Sequence, residues 1–134
     1  MRPLGRSIRI ETLTNQELIA DKCYVAESFF ERVRGLIGTK SLEVGEGMWF
    51  GECNNIHMWF MSIPIDVLFV RPYETTPESV PGKNYYTILS VRPKIRPWRL
   101  FPVHGLGATD TVELPAGTAE RCQLKAGDTL VCTS

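Results

Sequence analysis

The chain has 134 residues, 43% apolar and 22% charged, a composition for one domain with one core and too apolar for a disordered segment. Fifteen basic side chains cancel fifteen acidic ones, so no overall field draws the protein onto nucleic acid or an anionic membrane. No apolar run approaches the ~18–20 residues that span a bilayer, and Met1 to Ser7 lacks the apolar middle of a signal peptide, so the chain is expected to be cytoplasmic, with neither membrane nor nucleic acid as a partner.

In chain order, Ser7 to Leu13 alternates apolar and polar residues as a half-buried strand does. Glu17 to Val25 repeats the pattern beyond a polar turn at Thr14-Asn15-Gln16, which predicts an opening hairpin. In Ser28 to Gly38 the apolar residues Phe29, Phe30, Val33, Leu36 and Ile37 have the spacing of a helix face, with Ser28 as N-cap and Gly38 as terminator. It is the one helix expected with a full apolar face. Gly45-Glu46-Gly47 is a turn signal before a short strand, Met48-Trp49-Phe50, and Asn54-Asn55 is another.

Ile56 to Met61 and Asp66 to Val70 are nearly continuous apolar runs, the mark of strands buried on both faces. Arg71 to Lys83 turns to Pro, Glu, Thr, Ser and Gly and reads as an exposed loop. Tyr85 to Val91 is a strand, followed by a Pro-rich basic stretch from Arg92 to Phe101. Thr109 to Leu114 alternates, Pro115 to Thr118 breaks it, Ala119 to Leu124 makes a helical turn, and Thr129 to Cys132 is a last strand. Many short strands, frequent turns and one short helix predict a mainly β domain over residues 1–134, a small sandwich or partly open barrel. Its expected core is Trp49, Phe50, Ile56, Met58, Phe60, Val67, Phe69, Ile88, Val112, Leu114 and Leu130.

The richest segment chemically is Cys53 to Val70, which sets Cys53, His57 and Asp66 within the most apolar part of the chain. A polar side chain there must find a partner or destabilise the fold by roughly 1–3 kcal/mol. A Cys53–His57–Asp66 triad needs a base within ~2.6–3.2 Å of the thiol, whereas one straight strand would separate residues 53 and 57 by ~13 Å. Only a sharp bend at Asn54-Asn55 brings them together. The structural alternative makes Cys53 a small buried hydrophobe and His57 a core histidine bonded to Asp66 or to backbone.

Metal ligation by Cys53, His57 and Asp66, completed by His104 or Cys122, lacks paired ligand spacing, so no metal and no cofactor are expected. The four cysteines, Cys23, Cys53, Cys122 and Cys132, have no Cys-x-x-Cys pair and read as reduced thiols. Charges flanked by apolar residues, namely Arg34, Asp66, Arg99 and Glu113, must pair when buried. Such a network is either architecture or a fork open to a carboxylate or phosphate. Arg92 to Arg99 holds four cations and Trp98, a combination that can stack single-stranded nucleic acid but equally keeps an edge strand from aggregating.

The motifs Arg32-Val33-Arg34-Gly35-Leu36-Ile37-Gly38, Gly45-Glu46-Gly47-Met48-Trp49, Ile56-His57-Met58-Trp59-Phe60-Met61 with Pro64-Ile65-Asp66-Val67, Pro97-Trp98-Arg99, and Glu113 to Thr118 with Gly127-Asp128 occur in that order. Together they resemble the domain of unknown function 192 family of small bacterial and archaeal proteins, over residues 32–131. The resemblance implies a mainly β, sandwich-like fold and brings no reaction. The chain departs from the family pattern in a longer connection from Arg71 to Tyr86 and in Ser62, where a basic or amide residue is common.

Two functions of different class follow. The favoured one is a binding or accessory module that recognises a small anionic group or a peptide, its partner a small molecule or a protein, on a surface drawn from His57, Asp66, Trp98, Arg99, Glu113, Arg34 and Cys53. The alternative is a hydrolase using Cys53 or a bound metal. Neither reading specifies an oligomeric state.

Overall fold

The computed structural model describes residues 6–26, 42–52, 55–56, 64–73, 82–96 and 103–134. The strands are β1 (Ser7–Thr12), β2 (Leu18–Ala26), β3 (Glu46–Phe50), β4 (Asn55–Ile56), β5 (Ile65–Pro72), β6 (Lys83–Ile95), β7 (Val103–His104), β8 (Asp110–Pro115) and β9 (Thr129–Thr133), with a short helix α1 (Thr118–Arg121). Seven strands close into a barrel in the order β1-β2-β3-β8-β5-β6-β9, and β4 pairs with β7 in a separate ribbon. The chain is mainly β, as its alternation predicts, with the sheet closed on itself. Among the described residues no helix is long and apolar enough to cross a membrane.

The opening hairpin forms as expected, β1 antiparallel to β2 across a turn in which Gln16 takes a left-handed φ of 52°. β2 then runs parallel to β3. All the other barrel pairs are antiparallel, and β9 closes the barrel by bonding β1 on one side and β6 on the other. The helix expected over 28–38 lies outside the described residues, as do Met58 and Phe60 and the side chain of Ile56.

β5 shows how the barrel is dressed on both sides. Its residues Ile65 to Val70 are all buried. Leu68 and Val70 join the interior with Ile10, Trp49, Ile88, Val112, Leu114 and Leu130. Ile65, Val67 and Phe69 face the other way, into an outer cluster with Ile95 and Ala108. A strand covered on both faces has no use for alternation, and this one reads as an unbroken apolar run. Beyond β7, Gly105 lies so close to the ring of Phe69 that a Cβ would sit 2.1 Å from Cγ. Only glycine admits that approach, which seats the chain leaving the β4–β7 ribbon on the outer face of the barrel.

One difference from expectation concerns β6. The strand continues to Ile95, through Arg92-Pro93-Lys94, where proline and basic residues read as a break. A bulge explains the continuation: the β5–β6 register shifts between the Ile65↔Ile95 and Val67↔Arg92 pairs, and Lys94 takes a φ of 50°. At the same end of the barrel, Ala119, Cys122 and Leu124 pack into the interior, so α1 and the turn after it plug that end.

Candidate functional site

Asp66 is fully buried, and backbone amides hold both of its oxygens. Oδ1 accepts from Lys94 N at 2.7 Å, and Oδ2 accepts from Gly117 N at 3.1 Å and Ala119 N at 2.8 Å. The Lys94 amide belongs to the β6 bulge. The other two belong to the first turn of α1, whose N-cap, Gly117, has no side-chain cap of its own. The carboxylate thus joins β5 to the bulge and to the helix start, which gives Asp66 an architectural task. No sequence signal names these partners, because they are main-chain groups. Above the bulge, Lys94 Nζ and Glu120 Oε2 approach to 3.2 Å with both side chains largely in solvent, a pair that adds little.

Glu113 presents the opposite situation. It lies one position from Val112 and Leu114, which face the interior, so its side chain faces out of the barrel. There it sits in a row with Met48 of β3 on one side and Val67 of β5 on the other. Neither neighbour carries a charge or a hydrogen-bonding side chain of any strength. The residue is 2% exposed, and Oε2 has no hydrogen-bond partner among the described residues. Burial pushes its carboxyl from the ordinary 4.5 up to about 8, so at neutral pH the group is mainly the uncharged acid. The next row outward along the same strands is Phe50, Thr111 and Phe69, and Thr111 is itself buried and bonded.

Of the residues that the sequence singles out, the structure therefore places Asp66 and Glu113 on neighbouring strands and gives them different environments. Arg34, Cys53, His57, Trp98 and Arg99 lie outside the described residues, and only the backbone of His104 is described, in β7. The thiols of Cys23, Cys122 and Cys132 are free and buried. Burial raises all three, that of Cys132 to about 12, which makes them poor nucleophiles at neutral pH. Among the described residues no group of three or more His, Cys, Asp or Glu side chains could hold a metal ion.

A feature with no local sequence signal lies at the barrel end opposite α1. Trp49 Nε1 donates to Asp110 Oδ2 at 2.7 Å, and the Trp49 and Tyr86 rings meet edge to face with centroids 4.7 Å apart at 64°. With Arg6, Val25 and Asn84 they line a cavity of about 160 Å³ at the mouth.

Comparison with known proteins agrees with this architecture. The family model DUF192, described as Uncharacterized ACR, matches residues 10–132 and so takes in the opening hairpin as well as the later motifs. A protein from Sinorhizobium meliloti, given as a candidate transcription regulator, superposes with a TM-score of 0.73 at 20% identity, over 97% of this chain and 95% of its own. A protein of unknown function from Novosphingobium aromaticivorans gives a TM-score of 0.69 at 19% identity, over 97% of this chain and 92% of its own. At these identities the likeness is one of fold. No curated protein matches the chain.

Proposed function

The chain belongs to the DUF192 family, and on that footing we propose that it is a non-catalytic binding module that receives a small anionic group, a carboxylate or a phosphate, on the outer barrel face at Glu113. The observation that supports this reading is the buried Glu113 Oε2, which has no hydrogen-bond partner among the described residues and lies in a row between Met48 and Val67. An unsatisfied buried polar group costs about 1–3 kcal/mol, and such departures from a satisfied interior concentrate at sites of function. An uncharged carboxyl is also suited to the task. It donates a hydrogen bond to an anionic oxygen without repelling it.

His57, Trp98, Arg99, Arg34 and Cys53 are the side chains proposed to complete the site, the arginines as forks for the anion. Asp66 supports it from beneath by fixing the β6 bulge and α1. Titration calorimetry with inorganic phosphate and with acetate tests the proposal. Binding of at least one of them is expected, weakening as pH rises through about 8, where Glu113 ionises and repels the anion. Glu113→Gln retains an N–H donor and should bind with no such pH dependence. Absence of binding by both anions, or an affinity indifferent to pH in the parent, overturns the reading.

A further inference from the structure

The other end of the barrel carries a site of a different kind. α1 plugs one end, whereas the opposite mouth holds the cavity of about 160 Å³. At about 30 Å³ per liquid water, that space corresponds to some five waters, or to a molecule of a few heavy atoms. Its walls are apolar where Trp49, Val25 and the ring of Tyr86 contribute, and polar where Asn84 and Asp110 do.

Three polar side chains at that mouth have hydrogen-bonding capacity that the fold leaves unspent. The indole N–H of Trp49 takes one oxygen of Asp110 at 2.7 Å, and a carboxylate accepts about four hydrogen bonds, so Asp110 has room for a further donor. The Tyr86 phenol is pushed up by burial first and then by Asp110, so at neutral pH it keeps its proton and stays a donor. Asn84 lies on the interior face of β6, opposite Cys132, and its carboxamide both donates and accepts. Among the described residues neither the Tyr86 hydroxyl nor the Asn84 carboxamide makes a hydrogen bond. The charges at the mouth offset each other, since Asp110 raises the Tyr86 phenol and Arg6 lowers it. Arg6 has an interaction of its own, and no ligand contact is asked of it. A net cation or anion therefore gains little from the mouth, whereas a neutral molecule with both an N–H donor and an oxygen acceptor matches its unspent groups.

We propose that this mouth binds a small neutral amide, of the size of acetamide or urea, its N–H donating to Asp110, its carbonyl oxygen accepting from the Tyr86 hydroxyl, and the Asn84 carboxamide pairing alongside. The Trp49 and Tyr86 rings, with centroids 4.7 Å apart, make an apolar wall beside those bonds, and a hydrogen bond made against such a wall is stronger than one made in water. The site is independent of Glu113, which points out of the barrel while Trp49 points in.

The test is an NMR titration of ¹⁵N-labelled protein with acetamide, read at the Trp49 indole N–H, whose resonance is identified by its loss in Trp49→Phe. Acetamide is expected to shift that resonance saturably. Dimethylacetamide, which has no N–H to donate, and the ions acetate and ethylammonium, which carry a net charge, should each bind at least about tenfold more weakly. Tyr86→Phe keeps the ring against Trp49 and deletes only the hydroxyl. Asp110→Asn keeps an acceptor for the indole and puts an N–H where the ligand needs an acceptor. The first should weaken acetamide about fivefold and the second at least about tenfold, and either variant decides the matter if the other does not fold. No saturable shift with acetamide, equal binding of dimethylacetamide or of either ion, or acetamide binding unchanged in whichever variant folds would overturn the proposal.

Discussion

A carboxyl whose charge is not wanted leaves a trace in the dependence of stability on pH. Glu113 has a folded pKa of about 8 against an ordinary 4.5, the shift coming from burial. Below pH ~4.5 both the folded and the unfolded chain hold this proton. Between ~4.5 and 8 the unfolded chain releases it while the folded chain keeps it, so unfolding is favoured increasingly as pH rises. The loss levels off above about 8 at roughly 4–5 kcal/mol. Glu113→Gln removes the proton linkage and keeps the shape. Urea denaturation of both proteins between pH 4 and 9 should show them similar in acid and the variant increasingly the more stable toward pH 9. A difference that stays constant across that range would mean that Glu113 is ionised and paired in the folded state. The residue was legible in the sequence as a charge flanked by apolar strand positions, and so was Asp66. Their contrast was not, since one is answered by main-chain amides from distant segments and the other by nothing among the described residues.

Elements meet at Asp66 in a way that local pattern does not disclose. Pro93 and Lys94 read as the end of a strand, yet β6 passes through them because the bulge turns the Lys94 amide onto Oδ1. α1 has four residues and a glycine N-cap with no side-chain bond of its own, too little to persist alone. Its first amides are held by Oδ2 instead. Asp66→Ala leaves the three donors without their acceptor. With charged hydrogen bonds at about 1.5–3 kcal/mol each and strong non-additivity among them, the variant should lose roughly 3–5 kcal/mol. Hydrogen exchange locates the damage: protection should fall first at Lys94, Gly117 and Ala119. A variant that melts with the parent, or one that loses protection evenly along the chain, would remove Asp66 from this role. The strands themselves were easier to read, because β1 and β9 have one buried and one partly exposed face and alternate, while β5 is buried on both faces and shows an apolar run.

The whole molecule depends on a pairing that no periodicity announces. Alternation in Ser7 to Thr12 and in Thr129 to Thr133 says that each is a strand, and nothing in either says that the first strand bonds the last. Likewise the parallel join of β2 to β3 and the meeting of Trp49 with Asp110 on the neighbouring strands β3 and β8 bring together segments far apart in the chain, and the cavity at that mouth had no counterpart in the sequence reading. β9 is the closing stave: Arg9 to Thr12 pair with Thr133 to Leu130 on one side, and Lys83 to Thr87 pair with Thr133 to Thr129 on the other. Its Leu130 and Cys132 are buried in the interior. Removing residues 129–134 would therefore uncover two strand edges at once, one of them on the longest strand, and open the core between them. Exposed edges of that kind recruit other chains. The truncated protein is expected to lose the cooperative melt of the parent and to elute as aggregates in size-exclusion chromatography, with the buried Cys23 reacting readily with a thiol reagent that reaches it slowly in the intact barrel. A truncated chain that stays monodisperse at the parent's elution volume, melts cooperatively and still shields Cys23 would show that the remaining strands form a stable open sheet, and that closure by β9 is not what holds the domain together.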